Sequence, residues 1–101
     1  MNTMTLTEFK ATLAHADPPA GIKPALVALW HDAKDDWDAA HEAAQAIDGA
    51  DGAWVHAYLH RKEGDLSNAD YWYRRAGRRR PEGALEAEWE AIAAALLERG
   101  R

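Results

Sequence analysis

The sequence predicts an all-α fold of five or six short helices, built as two antiparallel helical hairpins with N- and C-terminal helices covering the ends. Three observations lead there. Apolar residues recur at three- and four-residue spacing, no segment alternates with the period of a strand, and breakers rich in Gly, Pro or Asp separate the segments. The 101 residues allow one helical domain spanning 1–101 and exclude a (β/α)₈ barrel or a Rossmann unit with a partner domain.

Thr5 followed by Glu8 has the capping-box spacing, and Leu6, Phe9 and Leu13 then mark a first helix up to about Ala16. Asp17-Pro18-Pro19-Ala20-Gly21 ends it, because consecutive prolines lack amide donors and restrict the residues before them. Pro24 suits the first turn of a second helix running to Lys34. Asp35-Asp36 reads as a corner, with Asp36 capping a third helix through about Ile47. Asp48-Gly49-Ala50-Asp51-Gly52 breaks that helix, and a fourth runs from about Ala53 to Lys62, stopping at Gly64. Asp65 caps a fifth over Leu66 to Ala76, and Pro81 starts a last helix with Leu85, Trp89, Ile92 and Leu96 facing inward before Gly100. The expected core is Leu26, Leu29, Trp30, Trp37, Ala40, Trp54, Leu59, Leu66, Ala69, Trp72, Trp89, Ile92 and Leu96.

An offset of 29 residues pairs Ala28 with Ala57, His31 with His60, Asp36 with Asp65 and Ala40 with Ala69. Small residues at 40 and 69 permit close helix approach, and Trp37 and Leu66 follow the paired aspartates. The stretches Lys34-Asp35-Asp36-Trp37-Asp38-Ala39-Ala40 and Glu63-Gly64-Asp65-Leu66-Ser67-Asn68-Ala69 resemble the corner of tetratricopeptide and Sel1-like helical-hairpin repeats. On that resemblance Gly64, Asp65 and Ala69 hold the turn and small-residue positions of one unit, Asp36 and Ala40 those of the other, and Asp35 replaces the expected Gly. The likeness covers about half the chain in two units, with a period shorter than the family's, and implies a protein-binding role.

The absence of Cys removes disulfides, thiolate nucleophiles and Cys-based zinc or iron–sulfur sites, which makes a cytoplasmic address the expectation. Met1 to Lys10 lacks the basic and apolar regions of a signal peptide, and no window reaches the length that spans a bilayer. The formal charge of -5 disfavours nucleic acid, despite Arg74, Arg75, Arg78, Arg79 and Arg80. Those arginines could instead pair with Glu82, Glu86, Glu88 and Glu90.

His31, His41, His56 and His60 are the sharpest chemical feature. Neutral imidazoles ligate zinc and other divalent transition metals, and the four-residue spacing of His56 and His60 puts both on one helical face. A convergent site would use His31, His41, His56 and His60 with the carboxylate of Glu42. The competing reading is structural hydrogen bonding to neighbouring carboxylates, aided for His60 by a helix C-terminus. His41-Glu42 is not a zincin motif, since Gln45 stands where that motif needs its second His.

Tyr58, Tyr71, Arg74, Arg75 and Arg78 form a second candidate site, an aromatic and arginine-bearing face for a protein or peptide, including a second copy of this chain. The leading expectation is accordingly a noncatalytic interaction or scaffold module with no cofactor. The alternative is a histidine/carboxylate metal-binding protein or a small metal-dependent enzyme, so enzymatic activity is left open.

Overall fold

A computed structural model describes residues 4–98. Its elements are α1 (Leu6–Ala11), a 3₁₀ turn (Thr12–Ala14), α2 (Pro24–Ala33), α3 (Trp37–Gln45), α4 (Ala50–Lys62), α5 (Leu66–Arg75) and α6 (Leu85–Glu98). The described residues are all-helical apart from turns and loops, as the periodicity predicts. The proposed stop at Gly100 lies outside them.

The two predicted hairpins form, α2 against α3 and α4 against α5, and α3 packs on α4 to join them. Their corners are built alike. Asp35 and Gly64 both take left-handed backbone (φ 62° and 87°), and the amides of Asp36 and Asp65 then donate to the carbonyls of His31 and His60, each at 3.0 Å. Each aspartate also caps the next helix, accepting from Ala39 at 3.1 Å and from Asn68 at 3.3 Å. Asp35 thus adopts the conformation for which Gly is the easier residue.

The terminal helices cover the stack. The capping box of α1 is present, with Thr5 and Glu8 each holding the other's amide. Phe9 stacks on Trp89 of α6 at 5.8 Å between ring centroids. The α-helical turns end at Ala11, short of the expected Ala16, and Thr12 accounts for the change. Its hydroxyl donates to the Phe9 carbonyl at 2.6 Å and accepts from the Trp30 indole at 3.2 Å, which tightens the chain into the 3₁₀ turn.

Two further boundaries differ from expectation. Helix α4 begins at Ala50 and includes Asp51 and Gly52, because Gly52 lies against Ile47, where even a methyl group would collide. Pro81 does not start α6; the helix begins at Leu85, and the Arg61 guanidinium donates to the Gly83 carbonyl in the intervening loop. The core contains Leu26, Leu29, Trp30, Ala40, Trp54, Leu59, Ala69, Trp89, Ile92 and Leu96 as expected. Leu66 is instead 44% exposed, since its place in the first turn of α5 faces outward. Trp37 and Trp72 are half-buried against the core, and Phe9, Val55, Tyr58 and Tyr73 complete it.

Candidate functional site

Helices α3 and α4 bring His41, His56 and His60 together. One ring nitrogen from each lies within 4.8 Å of the others. His56 and His60 stack at 4.9 Å, as residues one turn apart on α4 should, and His41 meets them edge-on at 4.6 and 5.2 Å. Trp37 stacks on His41 at 4.8 Å, while Trp72 stacks on His56 at 4.0 Å, so indoles from α3 and α5 brace opposite ends of the cluster. Trp37 is itself fixed by its indole N–H, which donates to the Leu59 carbonyl at 2.9 Å.

The three rings differ in their surroundings. His56 and His60 are buried and His41 is half-buried. Burial, reinforced by His41 and His60, lowers the pKa of His56 from its ordinary 6.5 to about 4. Burial and the neighbouring His60 also push His41 down. Both are therefore neutral at pH 7 and carry a free lone pair. Among the described residues, no hydrogen bond reaches a ring nitrogen of either. His60 pairs its Nδ1 with Glu63 Oε1 at 2.6 Å, and Asn68 Nδ2 stands 3.4 Å from its Nε2. A proton on Nδ1 satisfies Glu63 and leaves Nε2 as an acceptor.

This arrangement gathers three of the five predicted metal residues. Glu42 is exposed on α3 and His31 packs edge-on against Trp30 at 5.4 Å, both outside the cluster. Glu63, whose carboxylate supports His60 directly, was missed by sequence reasoning. Its i, i+3 relation to His60 was the available signal, though the glycine after it suggested only a helix end.

The aromatic and arginine face divides in the same way. Tyr71 is 47% exposed, Arg74, Arg75 and Arg78 are exposed, and the Arg75 guanidinium lies 5.7 Å from the Tyr71 ring and 5.3 Å from that of Trp72. Arg78 sits over Trp54 at 3.4 Å. Tyr58 does not join them. It is buried on α4, and its hydroxyl donates to Asp32 at 3.1 Å. Two of the acidic residues of α6 pair elsewhere than with these arginines, Glu88 with Arg61 and Glu90 with Lys10, while Arg80 meets Asp70 at 3.1 Å.

A cavity of about 430 Å³ opens beside the histidines, between the end of α3, the first turn of α4 and α5. His56, Trp72, Arg75, Asp48 and Gln45 contribute side chains to its wall. Among the described residues, no helix is long and apolar enough to cross a membrane. Compared with known protein-family models, curated proteins and solved structures, the chain matches none.

Proposed function

We propose that this protein binds a divalent transition metal, zinc in the first instance, through His41, His56 and His60. The observation that carries the reading is the approach of three imidazole nitrogens to within 4.8 Å of one another on two packed helices. Zinc–nitrogen bonds of about 2.0–2.1 Å in a tetrahedron separate ligand nitrogens by about 3.4 Å, so closure around an ion asks only for small ring rotations. The chemistry of the donors supports it. Neutral His41 and His56 need not lose a proton, and the Glu63 carboxylate on His60 Nδ1 is the partner that orients a ligating imidazole and raises its basicity. Three protein ligands leave a coordination position for water or substrate, which is compatible with a catalytic ion. An all-nitrogen donor set in a chain without Cys also works unchanged in a reducing compartment, which supports a cytoplasmic address.

The test is calorimetric titration of tag-free, chelator-treated protein with Zn²⁺, alongside visible absorption with Co²⁺. One ion per chain is expected, with tetrahedral cobalt bands, and His41→Ala and His56→Ala should each weaken binding severely. Wild-type protein that takes up no ion, or folded variants that bind equally well, would overturn the reading.

A second reading, a protein- or peptide-docking face around Tyr71, Arg74, Arg75 and Arg78, is supported by the exposed Tyr71 ring held beside Arg75. Self-association would be its simplest form. Light scattering on wild-type and Tyr71→Ala protein tests that form: a concentration-dependent dimer lost in the variant supports it, and a monomer in both removes it.

A further inference from the structure

The cavity beside His56 carries two kinds of charge on its wall. Its positive side consists of Arg75 and the N-terminus of α4. Gly49, the N-cap, makes no side-chain cap, so the partial positive charge of a 13-residue helix, offset in part by Asp51 in its first turn, meets the cavity where Ala50, Gly52 and Ala53 line it. Arg75 is held against Trp72 and Tyr71, with a guanidinium nitrogen 3.4 Å from the Tyr71 hydroxyl. Asp48 supplies the opposite sign.

His56 is the second, independent feature. It is 5% exposed, lines the same cavity, and has ring nitrogens without a hydrogen-bond partner among the described residues. With no protein partner and no seal from solvent, the acceptor nitrogen of His56 is open to a hydrogen bond from whatever occupies the cavity. Trp72 stacks on its face at 4.0 Å, so a ligand reaches it through the ring edge, where the nitrogens are.

We propose that this cavity binds a small amino carboxylate: the carboxylate against Arg75 and the first amides of α4, the ammonium donating to Asp48 and to an imidazole nitrogen of His56. Both groups of the ligand then meet complementary partners, which neither a plain anion nor a plain amine achieves. The cavity volume of about 430 Å³ suits a molecule of amino-acid size. The inference goes beyond the metal reading and concerns the ion-free protein, since the single lone pair of a neutral His56 serves either the ammonium or an ion.

The experiment uses chelator-treated, full-length protein and follows backbone amide resonances while glycine or acetate is added. Glycine should shift the amides of Ala50 to Ala53 saturably, with a dissociation constant of the order of 1 mM, and acetate should act at the same amides more weakly. Arg75→Gln should weaken both about tenfold. Asp48→Asn should weaken glycine and not acetate, narrowing the gap between them. Both positions are exposed, so the variants should keep the fold. No saturable shift at these amides up to about 100 mM glycine, or equal affinities in wild-type and Arg75→Gln protein, would overturn the proposal. The Zn²⁺ titration is run without glycine and the glycine titration without metal, so the two readings can fail separately.

Discussion

At the scale of single residues, His56 shows how surroundings set chemistry. A solvated histidine titrates near neutrality, whereas this ring, buried between Trp72 and two other imidazoles, titrates at about 4. Between pH 6.5 and about 4 the unfolded chain therefore takes up a proton at this position that the folded chain refuses. Stability should fall as pH drops through that window and level off below it. His41, lowered for the same reason, adds in the same direction. Urea midpoints at pH 7 and 4.5 should show a smaller acid-induced drop in His56→Phe than in wild type; equal drops would refute the assignment. Glu63 tests the metal reading more gently than the ligands do. Glu63→Gln keeps the side chain's size but removes the charge facing His60 Nδ1, and should weaken Zn²⁺ binding about 10- to 100-fold while leaving the fold intact. A purely structural His60–Glu63 pair would lose stability in that variant without changing metal affinity.

Among the elements, α4 joins the histidine cluster to the charged core. It presents His56 and His60 on one side, Tyr58 toward Asp32, and Arg61 toward Glu88, so one helix supports both the candidate site and the charged core. Its start was misread because Asp51-Gly52 has a breaker's composition. A glycine inside a helix ordinarily gains stability, by about 1 kcal/mol, when replaced by alanine. Here an added Cβ would stand 2.5 Å from the Ile47 carbonyl oxygen and 2.8 Å from the Ile47 Cβ, one contact being with rigid backbone. Gly52→Ala should therefore destabilise, by about 1–3 kcal/mol, in a denaturation midpoint measurement. A gain would show that α4 can move away from the α3–α4 turn without cost. The hairpin corners, in contrast, were readable, because capping by Asp36 and Asp65 is a local interaction between residues three apart.

The molecule as a whole is locked by buried charge as well as by apolar packing. Glu88 of α6 is 6% exposed and accepts from the Tyr73 hydroxyl at 2.6 and 2.8 Å and from Arg61 at 2.8 Å, tying α4, α5 and α6 together. Asp32 of α2, 2% exposed, likewise takes the Tyr58 hydroxyl at 3.1 Å and Lys62 at 2.8 Å. Removing one member of such a group strands the rest. Glu88→Ala should cost about 3–5 kcal/mol by leaving Arg61 unpaired. Tyr73→Phe, which deletes only a hydroxyl, should cost about 1.5–3 kcal/mol. Urea denaturation of the two variants gives the order, and the reverse order would contradict the network. None of these pairings could be read from the sequence, since Glu88 and Arg61 are 27 residues apart and an acidic stripe in a first turn already has a local explanation in the helix dipole. The helical class, the two hairpins, their aspartate-capped corners and the shared face of His56 and His60 are legible in the order of residues, because each depends on residues within a turn or two of one another. Packing between helices is what sets that His41 joins that pair while His31 and Glu42 stand apart, that Tyr58 is buried, and that Arg75 and Asp48 share a cavity with His56. Those are relations between helices, fixed by how Trp37 and Trp72 pack against the histidines, and helical periodicity carries no information about the rotation of one helix against another.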